Sequence, residues 1–243
     1  MRFLRILNLL LLPSFLAATD IQSYSVRLAT TENGSGTAQA TLVLTACTAG
    51  ALNLPLGFSH PENLRLETYP AGVRLELGPQ NGMTLLRFQL PDGIPSPASL
   101  RFSFTLKQVF QAIKLAPGEK STLPGSSRIF RHAFVNTQET PIQLYRLEYL
   151  LPEGFMVQAI REQLPKPMKS EVGPRVLLST LEGCQAATLQ ISDLHQGDDT
   201  SMVLELIPGR RSIGWLVAGL LLAGTYLFYF RDLVAKEHPD PTG

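Results

Sequence analysis

The residues best suited to metal or redox chemistry are spread thinly along this 243-residue chain. The four histidines lie far apart, at His60, His132, His195 and His238. The two cysteines, Cys47 and Cys184, form no C-x-x-C pair. Zinc sites need such ligands in clusters. We therefore predict no metal site and no cofactor.

Catalytic patterns are equally sparse. The chain has no G-x-S-x-G elbow and no glycine-rich phosphate loop, and Gly34-Ser35-Gly36 has the composition of a turn. The three acids of one loop could line a calcium site, but a plain turn is favoured: Asp193, Asp198 and Asp199. Four glutamates fall at outward positions of alternating segments: Glu67, Glu76, Glu148 and Glu205. We predict no catalytic residues and a non-enzymatic protein, while a hydrolase that uses two sheet-face acids stays open.

The charge balance argues against a nucleic-acid partner. Lys and Arg number 21 against 20 Asp and Glu, for a formal net charge of +1. Such a chain offers no extended field of one sign to attract a polyanion.

Alternation of apolar and polar residues predicts the elements that would hold any site. The segments 64–67, 73–77, 100–107 and 187–192 all alternate with a period of two. Between such segments stand turn signals such as Asn33-Gly34 and Pro91-Asp92-Gly93. This pattern indicates half-buried antiparallel strands, and hence an all-β sandwich architecture. Residues 107–115 fit either a short helix or an irregular strand extension.

A stretch rich in turn formers divides the part of the chain that alternates. Residues 116–127, APGEKSTLPGSS, contain few apolar side chains. We therefore predict a linker there, between an N-terminal β-sandwich domain at 20–115 and a second one at 128–208. A single long sandwich with a decorated middle loop remains the alternative.

Both ends of the chain are hydrophobic. Residues 1–19 carry Arg2 and Arg5 before a short apolar run, which predicts a cleaved signal peptide, with an uncleaved anchor as the alternative. Residues 213–230, IGWLVAGLLLAGTYLFYF, contain no charge and predict a single transmembrane helix. Together they predict a body in the bacterial periplasm or outside, an inner-membrane anchor and a cytoplasmic tail at 231–243.

Two pairings of residues are conceivable in this arrangement. An exported body permits a disulfide between Cys47 and Cys184, although each could instead be a buried small side chain. The apolar segment carries small residues four apart, which could mediate helix–helix contact: Gly214 with Ala218, and Gly219 with Ala223.

The second half carries a family resemblance. Its segments are F-V-N-T at Phe134–Thr137, T-P-I at Thr140–Ile142, L-P-E-G at Leu151–Gly154, and the turn and strand from Ile191 to Leu206. Over residues 128–208 the chain resembles the DUF11-type bacterial surface repeats and related immunoglobulin-like modules. The resemblance implies an immunoglobulin-like β-sandwich that serves as a spacer or interaction platform.

These observations predict a non-enzymatic scaffolding or accessory subunit that contacts a protein partner at the cell envelope. The alternative is a tethered module that binds a carbohydrate or another envelope polymer. The body has four tyrosines after the signal, but its single tryptophan, Trp215, lies in the predicted anchor. Sugar-binding surfaces usually expose aromatic rings, so the protein-interaction hypothesis is preferred.

Overall fold

The computed structural model describes residues 19–80, 83–112, 127–164, 176–209 and 219–230. In these ranges the chain forms β1 (Asp20–Thr30), β2 (Gly36–Ala46), β3 (Gly50–Pro55), β4 (Pro61–Thr68), β5 (Arg74–Gln80), β6 (Met83–Leu90), β7 (Ala98–Leu106), β8 (Phe110–Ala112), β9 (Arg128–Val135), β10 (Ile142–Leu150), β11 (Phe155–Leu164), β12 (Val176–Leu181), β13 (Cys184–Leu194), β14 (Asp199–Pro208) and one helix, α1, at 219–230. The predicted signal peptide up to residue 18, the predicted linker up to residue 126 and the tail at 231–243 lie outside the described residues.

The strands form three sheets. The largest has seven strands in the order β12-β13-β10-β1-β2-β7-β4. A four-stranded sheet has the order β11-β14-β9-β8, and a three-stranded sheet has the order β3-β6-β5. Neighbours in the large sheet pair in antiparallel fashion, except that β1 and β10 are parallel.

Both smaller sheets pack on the same face of the large sheet. Phe88 of the three-stranded sheet lies 5.6 Å from Phe102 of β7, measured between ring centroids. Phe130 of the four-stranded sheet stacks on Tyr149 of β10 at 3.9 Å. One continuous cluster of buried side chains includes members of all three sheets. The body is therefore a sandwich whose second layer is split into two sheets.

The strands occur where the alternation predicts them. In β7, Leu100, Phe102, Phe104 and Leu106 are buried, whereas the residues between them face outward. Asn33-Gly34 lies in the connection between the antiparallel neighbours β1 and β2. Pro91-Asp92-Gly93 lies in the connection that leads from β6 of the three-stranded sheet to β7 of the large sheet. Within 107–115, residues Phe110–Ala112 form strand β8, so the helical alternative is wrong there; residues 113–115 lie outside the described part.

The predicted fold of two tandem immunoglobulin-like domains with a membrane helix is wrong. Strand β1, from the first half of the chain, pairs with β10, from the second half, through eight residue pairs from Ile21↔Ile142 to Ala29↔Leu150. Seven strands from both halves therefore share one sheet and one core. The residues up to Ile207 form one compact unit, and those from Pro208 onward form another.

The predicted membrane anchor is also wrong. Helix α1 covers residues 219–230, and residues 213–218 of the predicted span lie outside the described ranges. Within the described part of the chain, no helix is long and apolar enough to cross a membrane. The predicted single-pass topology and inner-membrane location depend on this anchor, so they are wrong as well.

Because the two halves share one core, a cavity in the second half should destabilise the first. Leu147 of β10 is fully buried and opposes Val26 of β1. We expect Leu147→Ala to lower the free energy of unfolding by roughly 2–5 kcal/mol. Hydrogen exchange should show reduced protection in β2 as well as in β13. Gln190, which is exposed on β13, supplies the control, because Gln190→Ala should change the free energy of unfolding little. Loss of protection confined to β13 in Leu147→Ala would contradict the single core.

Candidate functional site

The seam between the two smaller sheets is the main irregularity of the second layer. Strand β8 pairs only with Arg128–Phe130 of β9, so the rest of that edge of β9 is left for another neighbour. The connection that follows β3 takes this place. The Leu56 amide donates to the Thr84 carbonyl at 3.0 Å, and the Gln138 side-chain amide donates to the Asn53 carbonyl. The first bond extends the β3–β6 pairing by one residue, and the second links β3 to the connection that follows β9.

A cleft of about 450 Å³ opens along this seam, and we call it the junction cleft. Its lining residues are Pro55, Gly57, Phe58, Ser59 and Thr84 from the three-stranded sheet and its connection, and Arg131, His132, Ala133, Phe134, Val135, Glu162, Ser201 and Val203 from the four-stranded sheet. Apolar and polar side chains are equally numerous in this lining, but apolar atoms make up most of its exposed surface. One arginine and one glutamate supply its formal charges.

The floor of the junction cleft is built by two paired strands. Residues of β9 and β14 alternate, and the pairs Val203↔Arg131 and Ser201↔Ala133 lie side by side on the outward face. The Ser201 hydroxyl donates to the Glu162 carboxylate of β11 at 3.3 Å. Ala133 has a small, exposed side chain in this floor, which leaves room above it.

The wall of the cleft depends on a glycine. Gly57 has φ of +76°, a conformation that side chains rarely adopt. A Cβ atom on Gly57 would lie only 2.6 Å from Cε1 of His132 and 3.0 Å from the Ala133 carbonyl. The next residue, Phe58, packs its ring 4.7 Å from the ring of His132 and 6.0 Å from that of Phe104.

Beneath the cleft lies a buried polar cluster. Nε2 of His132 and the Tyr145 hydroxyl are 2.6 Å apart, and both side chains are almost fully buried. The ring of Tyr24 lies 5.8 Å from that of Tyr145, and its hydroxyl has no hydrogen-bond partner among the described residues. Within the same part of the chain, Nδ1 of His132 lacks a partner of ordinary geometry. Burying polar atoms without partners is unfavourable in free energy, so this cluster destabilises the folded state.

Burial sets the protonation state of the cluster. It lowers the pKa of His132 to about 3, and the backbone of Gly57 opposes that shift in part. Burial also raises the pKa of Tyr24 and of Tyr145 well above the ordinary tyrosine value. All three side chains are therefore neutral at neutral pH. A histidine with so low a pKa is poorly matched to general acid–base catalysis near pH 7.

Two of the four sheet-face glutamates, Glu148 and Glu205, are bound to arginines. Glu205 was expected on a solvated face, but it is 1% exposed. Its Oε2 accepts from Nε of Arg161 at 2.5 Å, while its Oε1 has no partner. Glu148 is held by Arg27 at 3.3 Å and by Arg146 at 2.9 Å. These carboxylates lie in different sheets, and the contacts of each are with guanidinium groups.

The two cysteines are far apart. Cys47 follows β2 next to the start of β1, because Ala46 opposes Asp20. Cys184 lies near the other end of β1, because Ala29 opposes Leu150, which in turn opposes Ala186. About nine residues of extended strand separate these positions, roughly 30 Å, whereas a disulfide needs Cα atoms within about 7 Å. Of the two alternatives for these cysteines, the disulfide is therefore not formed in this structure, and both thiols are free among the described residues.

The remaining predicted site residues do not converge. His60 and His195 are exposed in separate connections, and His238 lies outside the described residues. Among the described residues, no group of three His, Cys, Asp or Glu side chains could hold a metal ion. The Asp198 carboxylate accepts from the His195 amide at 2.8 Å, which is a turn contact. Gly214 and Ala218 lie outside the described residues, and the predicted contact through Gly219 and Ala223 of α1 stays a prediction.

Asn136, from the F-V-N-T segment, makes contacts on both sides of the connection after β9. Its Oδ1 accepts from the Gln138 amide at 2.9 Å, which caps the turn there. Its Nδ2 also donates to the Leu194 carbonyl at 2.8 Å. Asn136 thereby ties the β9–β10 connection to the end of β13.

His132 is the site residue that sequence reasoning missed. In the sequence it is one of four histidines that lie far apart, and that spacing indicates no role for it. Its neighbours two positions away, Phe130 and Phe134, are both large and apolar. That alternation places His132 on the inward face of its strand, and the signal was present in the sequence.

Comparison with known proteins adds little about family. No family model matches the chain, and no curated protein matches it. The resemblance to DUF11-type modules over residues 128–208 therefore stays a prediction.

Solved structures give distant likenesses. A putative protease from Parabacteroides distasonis has a TM-score of 0.43 and 9% identity, over 77% of this chain and 40% of that one. A putative nutrient binding protein from Legionella pneumophila has a TM-score of 0.41 and 9% identity, over 77% of this chain and 67% of that one. Leukotriene A4 hydrolase from Saccharomyces cerevisiae has a TM-score of 0.42 and 6% identity, over 76% of this chain and 29% of that one. At these scores the likenesses assign neither a family nor an activity.

The buried histidine should make stability depend on pH. An unfolded chain binds a proton at His132 below pH 6.5, whereas the folded protein resists protonation down to about pH 3. Stability should therefore fall as the pH drops from 6.5 towards 3, by up to about 1.4 kcal/mol per pH unit from this group. Urea unfolding of His132→Gln should show a shallower decline than the wild type. The exposed His195 provides the control, because His195→Gln should keep the wild-type slope; equal slopes in all three proteins would contradict burial of a neutral His132.

Gly57 should tolerate no side chain. Gly57→Ala adds both backbone strain at positive φ and a collision with His132, so we expect a loss of roughly 2–4 kcal/mol in thermal or urea unfolding. Gly154 is a matched control, because its φ is +78° and no atom lies within 4 Å of an added Cβ. Gly154→Ala should therefore report the strain alone, at about 1 kcal/mol. Equal losses at both positions would show that the contact with His132 contributes nothing.

Proposed function

We propose that this protein is a non-enzymatic interaction module that binds an extended segment of a partner protein in the junction cleft. The observation that carries the proposal is the lining of this cleft. Its floor is the outward face of a strand pair, and its wall presents Pro55 and Phe58. Apolar side chains from a polypeptide fit such a lining, and burying them would supply the binding free energy.

The charges of the cleft favour a polypeptide over a simple hydrocarbon ligand. Arg131 and Glu162 are exposed and line the same cleft. Groups of opposite sign can orient a segment that carries both an acid and a base, or can bind its backbone carbonyl and amide groups. Ser201, which already donates to Glu162, adds another polar contact.

The arrangement supports binding rather than catalysis. The histidine of the cleft, His132, is buried together with Tyr145, and both side chains are neutral near pH 7. No serine, threonine or cysteine is hydrogen-bonded to that histidine among its described contacts. A nucleophile paired with a base is what covalent hydrolysis would require.

Polysaccharide binding is the second candidate function. Hydroxyl and charged groups around Phe58 could hydrogen-bond to a sugar: Ser59, Thr84, Arg131, Glu162 and Ser201. Phe58, however, packs against His132 and Phe104. A sugar ring stacks on an open aromatic face, so this packing makes the polypeptide the better ligand.

A large side chain on the floor of the junction cleft should weaken the binding of a peptide there. Panning a phage-displayed library of random peptides on the full chain should enrich peptides with adjacent apolar residues. We expect Ala133→Trp to weaken these peptides at least about tenfold, the equivalent of about 1.4 kcal/mol, because the indole occupies the cleft. Isothermal titration with a synthetic peptide measures the effect.

An exposed alanine elsewhere on the small sheets gives the matched control. Ala51 of β3 is exposed and does not line the cleft, so Ala51→Trp should bind the peptide as the wild type does. Equal binding by all three proteins would place the peptide outside the cleft. Enrichment of no peptide, together with binding to a glycan array that Ala133→Trp removes, would replace the proposal with the polysaccharide candidate.

A further inference from the structure

Strand β12 is an open edge of the seven-stranded sheet. Within the described part of the chain it pairs with β13 alone, in an unbroken register from Val176↔Leu189 to Leu181↔Cys184. Two adjacent leucines on this strand are exposed, Leu177 by 60% and Leu178 by 46%. Because side chains alternate along a strand, one leucine lies on each face of the sheet.

The opposite edge of the same sheet is protected. Strand β4 begins with Pro61 and carries the charges of Glu62, Arg65 and Glu67. Its pairing with β7 contains two register shifts, and Asn63 has a positive φ of 53°. Proline, charge and bulges are the devices by which proteins prevent an edge from pairing with another chain. Strand β12 has none of them: Val176–Leu181 contains no proline, no charge and no bulge.

The hairpin geometry identifies the unpaired backbone groups. Glu182 and Gly183 connect β12 to β13, with φ values of 54° and 81°. In a two-residue hairpin of this kind the flanking residues exchange hydrogen bonds, and alternate pairs do so thereafter. The amides and carbonyls of Leu181, Ser179 and Leu177 therefore point towards β13. Those of Val176, Leu178 and Thr180 point away from the sheet.

We infer that β12 pairs with β12 of a second copy of this chain, in an antiparallel arrangement centred on Leu178. This twofold register joins all three outward-facing residues at once, with Leu178 opposite Leu178 of the second copy and Val176 opposite Thr180. The result is one continuous sheet across both copies. Leu178 and its counterpart meet on the inner face and extend the buried core that ends at Val176.

The absence of charge on β12 supports a second copy as the occupant. Twofold pairing brings a strand against itself, so any charge on it would face a like charge. The uncharged sequence of β12 avoids that repulsion. A pair of six-residue strands buries less than the roughly 1,200 Å² typical of stable complexes, so the association should be weak and concentration-dependent.

A cysteine scan tests the register. In the full chain with Cys47→Ser and Cys184→Ser, Leu178→Cys places two thiols opposite each other with Cα atoms about 5.5 Å apart, within reach of a disulfide. Thr180→Cys is the matched control, because the two Thr180 positions are offset by four residues, roughly 13 Å. Under mild oxidation we expect Leu178→Cys to form covalent dimers at least about tenfold faster than Thr180→Cys. Equal rates, or no dimer, would overturn the register.

Hydrogen exchange of the wild type tests the pairing without any variant. The amides of Leu178 and Thr180 should exchange more slowly as protein concentration rises, while those of Leu177 and Ser179, already bonded to β13, should stay constant. Concentration-independent exchange at Leu178 and Thr180 would overturn the inference. Because β12 is not part of the junction cleft, this result is independent of the peptide-binding experiment.

Discussion

The parallel pairing of β1 with β10 is the constraint on which the rest of the structure depends. It joins strands from the two halves of the chain at the centre of the large sheet. It also aligns Tyr24 with Tyr145 and Leu28 with Tyr149, which places the aromatic side chains where the smaller sheets pack. Antiparallel hairpins alone would leave two separate sheets. With this pairing, one core serves the entire body up to Ile207.

The junction cleft follows from how that large sheet is covered. A seven-stranded sheet is wider than either smaller sheet, so two of them lie side by side and leave a seam. At the seam the short strand β8 ends and the backbone of Gly57 takes its place against His132. Close approach there requires a residue without a side chain. The cleft and the buried histidine beneath it are therefore consequences of the same gap in the second layer.

The two proposed interaction surfaces would use different chemistry. The junction cleft offers apolar side chains and a few polar groups, so it discriminates by shape and charge. The β12 edge offers backbone hydrogen bonds and two leucines, which any compatible strand could use. A protected strand β4 at one edge of the large sheet and an open strand β12 at the other limit growth of the sheet to the β12 side. Twofold pairing through a single edge gives a closed dimer rather than an open fibre.

The amino-acid sequence by itself determined the local structure. Period-two alternation placed β7 and β13, the Asn33-Gly34 turn closed a hairpin, and Asn136 capped its predicted turn, because each depends on neighbours in the chain. The pairing of β1 with β10 joins residues more than a hundred positions apart, and no local pattern encodes it. Only the tertiary structure therefore decided that the body is one sandwich, that Cys47 and Cys184 lie far apart, and that Glu205 is buried beside Arg161. The burial of His132 could be predicted from the alternation along β9, but its contacts with Gly57 and Tyr145 depend on how the sheets pack.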